Sequence, residues 1–252
     1  MTSFLLKIIG IITMLCDHTG DAILGSFSIL NLIGRIAFPL FAFQISQSYI
    51  HTKNLIRFMF RLLIFALIAQ LPFSLFLSTF TSDLYYSVQV FSVSFNIYSL
   101  NIGFTMLLAL LAILAYDKIS NKPLGILTSL LIVIIAQILN VDYGAFGVLL
   151  ILIFYIFRTQ PSYAKKKNTF IKVLMNIAFL IVVFTYYFIR YLQAPNISII
   201  EFYLPLVLFT YISLLFINFY NGKQGPKVKY LFYIFYPVHL LLLYFINYML
   251  FN

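Results

Sequence analysis

His18 is the side chain in this sequence best suited to moving a proton, because an imidazole exchanges protons near neutrality and one set in an apolar run needs a reason to be there. It lies in KIIGIITMLCDHTGD, residues 7–21, where Asp17, His18 and Asp21 cluster at the end of an otherwise apolar helix. Asp21, three residues on, shares the helical face of His18 and is placed to hold the ring by accepting its proton. Asp17 is adjacent in sequence and points about 100° away on a helix, so it is the less natural orienter. Arg35 stands five residues into the next apolar run, in NLIGRIAFPLFAF, where its charge is costly unless paired. The expected pair is Asp17 with Arg35, which sets a fixed cation beside the imidazole. Asn101 and Asp142 add hydrogen-bonding groups suited to gripping an amine or a hydroxyl acceptor, although both are also favoured helix N-caps.

Lys7, Arg57 and Arg61 form a second, basic group. Arg57 and Arg61 are four apart on one helical face, where like charges repel unless they share an anion. Such residues suit a phosphate-rich cofactor, and positive-inside retention explains them equally well. His239, in KYLFYIFYPVHLLLLY, lies about eight residues from the start of the last helix, which places it in the cofactor half or in a packed polar contact and not beside His18. Pro237 offers it a freed carbonyl. His51 reads as interfacial, and the lone Cys16 as a structural thiol. No HExxH, CxxC, P-loop or dinucleotide fingerprint is present, and one Cys with three dispersed His argues against a dedicated metal site.

These groups must be positioned by membrane helices. The 252 residues are 63% hydrophobic and only 9% charged, against about 25% for a soluble domain. The chain reads as a single domain over 1–252, an all-α polytopic bundle of the cell membrane. The apolar runs predict nine helices, at 4–22, 30–49, 55–77, 97–116, 124–140, 143–158, 171–190, 203–219 and 231–250. The fifth and sixth are short and closely spaced, so they form either a tight hairpin or a broken, partly re-entrant pair. Twenty-nine Phe and nineteen Tyr, with no Trp, supply the packing surface and interfacial anchors.

Charge bias sets the direction. Basic residues follow the second span (Lys53, Arg57, Arg61), the fourth (Lys118, Lys122) and the sixth (Arg158, Lys165, Lys166, Lys167, Lys172), and precede the ninth (Lys223, Lys227, Lys229). All belong to loops on one side, so the N-terminus is expected in the cytoplasm. This use of the +10 net charge beside anionic lipid leaves no case for nucleic acid. The opposite loops carry Asp83, Asp142 and Glu201 with little basic charge. Asp17, His18, Asp21, Arg35, Asn96, Asn101 and Asp142 then gather at the outer face, with loop 78–96 placed to cover it or guide a substrate. Lys7 and His18 are eleven residues apart, about 16 Å along a helix.

KIIGIITMLCDHTG, IGRIAFPLFAFQISQSY, NIGFTMLLALLAI, DYGAFGVLLILIFYIFR and YPVHLLLLY resemble, in order and over essentially the whole chain, the TraX family of integral membrane proteins. In outline the chain is also similar to the wider membrane acyltransferase 3 group, in which a basic residue and a His lie eleven apart in the first helix. Here these are Lys7 and His18, with Lys7 in place of the commoner Arg. The resemblance implies acetyl-CoA as acyl donor and an amine or hydroxyl acceptor such as a pilin N-terminus or a surface glycan. His18 would be general base, Asp17 or Asp21 its orienter, and Arg35 or Asn101 the oxyanion stabiliser, with Lys7, Arg57, Arg61 and His239 on the cofactor side. A covalent acyl-histidine is an open variant. Two other readings fit the same residues: a proton-coupled transporter or flippase using Asp17, His18 and Arg35 as a relay, and a non-enzymatic conjugation or surface assembly protein in which they only pack helices.

Overall fold

Runs of apolar residues that bury no backbone polar group outside a helix leave the chain little choice in a bilayer, and the described part is helical almost throughout. The structure, a computed structural model, describes residues 1–24, 27–79, 87–90, 93–96, 99–158, 169–226 and 230–251. Its helices are α1 (Ser3–Thr19), α2 (Ile29–Gly34), α3 (Ala37–His51), α4 (Leu55–Leu77), α5 (Ile102–Lys118), α6 (Lys122–Ile138), α7 (Gly144–Arg158), α8 (Thr169–Gln193), α9 (Leu204–Asn218) and α10 (Leu231–Phe251). One antiparallel hairpin, β1 (Ser87–Val90) with β2 (Val93–Asn96), departs from the all-α expectation. Asn96 therefore ends a strand and does not begin a helix. Asp83, Lys165, Lys166, Lys167, Lys227 and Lys229 lie outside the described residues, as do 80–86 and 91–92 of the loop read as a cover.

Among the described residues six helical stretches are long and apolar enough to cross a membrane, and this is a multi-pass membrane protein. The stretch Ile29–His51 is the central one, with 67% of its apolar window buried against 17% for α8, so α3 forms the core and α8 faces lipid. The second predicted span is split at Arg35 and Ile36 because Pro39 has no N–H to give the Arg35 carbonyl and its ring crowds that oxygen. α6 and α7 resolve as a tight hairpin whose halves pack on each other and on α5.

Two sets of helix ends are tied together. On the N-terminal face, Ser3 and Phe4 donate backbone bonds to the carbonyls of Lys223 (2.9 Å) and Gln224 (3.0 Å). Tyr49 and Tyr155 donate to the two oxygens of Asp117 at 3.1 and 2.8 Å, and Arg158 donates to Gln47 at 3.0 Å. The ends of α3, α5, α7 and α9 thus lie with the N-terminus, as strict alternation of passes requires. On the opposite face the segment before α5 meets the α6–α7 turn: Leu100 donates to the Asn140 carbonyl (3.1 Å) and Asp142 to the Leu100 carbonyl (2.7 Å).

α5 starts at Ile102, five residues later than predicted, because Asn101 caps it. The Asn101 Oδ1 accepts from Gly103 N at 2.9 Å, while Nδ2 donates to the Ala66 carbonyl (2.7 Å) and to Gln70 Oε1 (2.9 Å) of α4. The side chain is fully buried and all its hydrogens are engaged. Asn101→Ala removes a cap and two buried hydrogen bonds to α4, leaving the Gln70 Oε1 only its bond from the residue 101 N–H, and should cost about 2 kcal/mol. A lowered thermal midpoint in detergent checks it; a wild-type midpoint would show these bonds to be dispensable.

Candidate functional site

At the face opposite the N-terminus the helices part around a cavity of about 970 Å³ that Asp17, His18, Asp21, Arg35 and Asp142 all line. Five of the six residues proposed from sequence to do chemistry therefore meet. Asn101 does not; its hydrogen-bonding capacity is used between α4 and α5, which removes it as an oxyanion donor.

The base of the site is the ion pair between Arg35 Nη2 and Asp17 Oδ1, expected from sequence and present. Its geometry depends on residues without obvious chemistry. Gly34 passes so close to Asp17 that a Cβ there would overlap the carboxylate stem. Asn31 supplies the rest: its carbonyl accepts from Arg35 Nε (3.1 Å), and its Nδ2 donates to the Asp17 carbonyl (3.2 Å) and to Asp21 Oδ1 (2.6 Å). The Asn31 Oδ1 in turn accepts from Ser28 N and Oγ at 3.0 and 2.7 Å. Sequence reasoning passed over Asn31, although Ser28 three residues before it is the spacing of a reciprocal cap.

Asp21 does not orient His18. The i+3 expectation assumes an α-helix, but α1 runs into a π-helical turn over Gly20–Leu24, whose extra residue per turn swings Asp21 towards Asn31. The partner of His18 is His239: Nδ1 of the first and Nε2 of the second are 2.7 Å apart. Their planes differ by 5° with centroids 5.0 Å apart, so the rings lie nearly edge to edge in one plane. His239 is 3% exposed and its Nδ1 sits 2.8 Å from the Phe235 carbonyl. This corrects its placement away from His18. Counting from the start of α10 misjudged its depth: the 2.7 Å contact sets His239, eight residues after Leu231, level with His18, fifteen residues after Ser3, so α10 begins deeper in the bundle than α1. Asn247, farther along α10, donates to the Ala22 carbonyl and fastens the end of the bundle away from the N-terminus as well.

Asp142 enters from the α6–α7 turn, where Asn140 (φ 48°) and Tyr143 (φ 62°) occupy the left-handed region. Tyr143 stacks on Phe38 with centroids 3.8 Å apart. Burial pushes the Asp142 carboxyl up to about 7, with Arg35 opposing and Asp17 reinforcing the shift. Arg190 closes the rim, donating to the Tyr186 hydroxyl at 3.2 Å. Both arginine and tyrosine were missed; nothing in YYFIRYL marks them as cavity-facing.

The basic residues are not one cluster. α10 packs against both α1 and α4, between Lys7 on the first and Arg57 and Arg61 on the second. Arg57 is exposed in the first turn of α4. Arg61 lies over the Phe58 ring at 6.0 Å and meets the Tyr233 hydroxyl. Among the described residues no group of His, Cys, Asp or Glu is arranged to hold a metal ion.

Two predictions follow from this geometry. The side chains of Arg35 and Asp17 are only 23% and 9% exposed, so either Arg35→Gln or Asp17→Asn alone leaves a poorly solvated charge and should cost roughly 3 kcal/mol. The double variant should melt closer to wild type than either single one, and additive losses would refute the coupling. Asp142 holds its proton in the folded chain up to about 7, whereas an ordinary carboxyl releases it near 3.8. The folded state thus binds more protons across that window, and stability falls as pH rises through it. Asp142→Asn should raise the thermal midpoint at about pH 8 and leave it unchanged near pH 4.

A family model described as TraX protein matches residues 3–247. The probable fimbrial assembly protein FimC, serogroup H1, of Dichelobacter nodosus is 29% identical over 248 residues, covering 96% of this chain and 94% of its own. No solved structure matches the chain significantly. With the family match running from the first residue of α1 nearly to the end of α10, the chain belongs to the TraX family.

Proposed function

We propose that the chain is a membrane-embedded acyltransferase that moves an acetyl group from acetyl-CoA to an amine at the outer face. The observation that carries this is the meeting of His18, the Asp17–Arg35 pair and Asp142 on one cavity at the face away from the N-terminus. Positive-inside bias puts that face outside and the N-terminus in the cytoplasm.

A cavity of about 970 Å³ is at the upper end of small-molecule sites, large enough for an acyl arm and an acceptor together. Phe41, Phe232 and Tyr236 line its inner part and suit the apolar portion of a thioester arm. Beyond them Arg61, with Arg57 one turn away, supplies positive charge for the CoA phosphates. Lys7 contributes from the other side of α10.

In the reaction the acceptor nitrogen attacks the thioester carbonyl while His18 removes its proton. Arg35 stabilises the oxyanion, the C–S bond breaks, and the imidazolium returns the proton to the departing thiolate, giving an amide and free CoA. Asp21 and Asp142 also face the cavity, and among the described residues neither forms an ion pair as Asp17 does. Such a lining receives an ammonium group, which must shed one proton before it can attack; Asp142, set near 7, suits that first transfer. A hydroxyl acceptor makes no use of this surplus of carboxylates. The fimbrial relative supports an acceptor belonging to a surface apparatus, of which a pilin N-terminus is one.

The test is reconstitution in vesicles with labelled acetyl-CoA and candidate membrane fractions. His18→Ala should lower label transfer by about 10²–10⁴ at equal protein level. Full transfer by that variant would end the assignment. If His18 and Arg35 substitutions act only by lowering protein level, the assembly reading replaces it.

A further inference from the structure

We infer that His239 is a positioning residue that holds His18 in its Nδ1–H tautomer and thereby makes Nε2 the basic nitrogen on the cavity side. The inference rests on the acyltransferase reading for its kinetic consequence, but the tautomer itself follows from the hydrogen-bond chain alone.

A backbone carbonyl can only accept. The Phe235 carbonyl is 2.8 Å from His239 Nδ1, so that nitrogen carries the hydrogen, and the opposite assignment would set two lone pairs against each other. His239 Nε2 is then the acceptor in the neutral ring. The His18 Nδ1, 2.7 Å away, must donate to it. With its hydrogen on Nδ1, neutral His18 bears its lone pair on Nε2, across the ring from His239. His18 lines the cavity and His239 does not, so the second ring stands behind the first as its support. Near-coplanarity of the two rings, 5° apart, puts the lone pair and the N–H in line.

The surroundings leave little room for another arrangement. Phe235 stacks on the far ring at 4.6 Å and 14°, Tyr236 meets it edge-on at 5.7 Å, and Phe76 tilts on His18 at 5.0 Å. A doubly protonated His239 would put an unpaired charge inside this aromatic wall. In a soluble triad the corresponding support is a carboxylate, which fixes both tautomer and orientation. Here that duty falls to a neutral ring backed by a carbonyl, which adds no further charge at bilayer depth. The chain ends at a carbonyl and passes no proton onward, so His239 orients the base without acting as a relay.

The experiment uses the full-length protein in lipid nanodiscs with ¹⁵N-labelled histidine. Only three histidines are present, so the His51→Gln and His239→Gln variants assign the ring nitrogens. His18 should show a protonated Nδ1 and an unprotonated Nε2, and His239→Leu should release it into a mixture of tautomers. Acetyl transfer by His239→Leu should fall about 10- to 100-fold in kcat with the KM for acetyl-CoA unchanged. His239→Gln, whose amide oxygen can reach the position of Nε2, should restore most of it. A wild-type His18 protonated on Nε2, or a His239→Leu variant with unchanged tautomer and full transfer, would overturn the inference. If the wild type transfers no acetyl group to any acceptor, the acyltransferase reading falls while the wild-type spectrum still decides the tautomer.

Discussion

A guanidinium and a carboxylate cannot stand alone in the apolar half of a bundle, and the Asp17–Arg35 pair is the constraint from which the cavity end of this protein is built. Bringing the charges into contact requires α2 to approach α1 without a side chain between them, hence Gly34. Aiming the guanidinium requires its backbone to leave the helix, and Pro39 four residues on enforces that break. Holding the ends of α1 and α2 together at the cavity then falls to Asn31, whose amide group joins the Asp17 carbonyl, the Asp21 carboxylate and the Ser28 turn. The pair is neutral as a unit, so the cavity can hold a fixed cation for a developing oxyanion without the bundle carrying a net buried charge.

The passes, their alternation and the Asp17–Arg35 pair were legible because each depends on a property that one sequence displays: run length, basic bias, and the cost of a lone charge in an apolar segment. What was not legible depends on register between distant segments. Asn101 looks like a cap, and it is one; that Ala66 and Gln70 take both its amide hydrogens is set by how α4 meets α5. Asp21 sits at a spacing that works only in an α-helix, and a single π turn redirected it. His239 seemed too shallow because depth was counted from the start of α10. α10 begins deeper in the bundle than α1, a stagger set by packing that no periodicity announces. The basic residues were grouped by side of the membrane alone, and α10 stands between them.

The two groups that would handle protons are held by opposite means. His18 is fixed through side chains, by a partner ring and a wall of aromatic residues. Asp142 is fixed through its backbone: Asn140 and Tyr143 take left-handed conformations that cost of order 1–3 kcal/mol each. That strain is sustained because the turn is bonded on several sides. Leu100 donates to Asn140 and accepts from Asp142, Thr105 donates to the Asp142 carbonyl, and Gln137 Oε1 accepts from Ala145 at 3.1 Å. The chain therefore spends backbone freedom at one wall and aromatic packing at the other.

On the proposed acyltransferase reading, independent fixation matters because the acceptor would meet two groups in sequence. An incoming ammonium would need a carboxylate that takes a proton near neutrality, and the resulting amine would then need a base aimed at its nitrogen with the thioester alongside. Were both groups on α1, one motion of that helix would misplace both. With the carboxylate on the α6–α7 turn and the imidazole braced by α10, their separation is set by the packing of the bundle, whose centre is the buried α3 that contacts both α1 and α7. A site assembled in this way holds its geometry only while the bundle is intact, so damage to α3 should act on binding and chemistry together, whereas damage to the His18–His239 pair should act on chemistry alone.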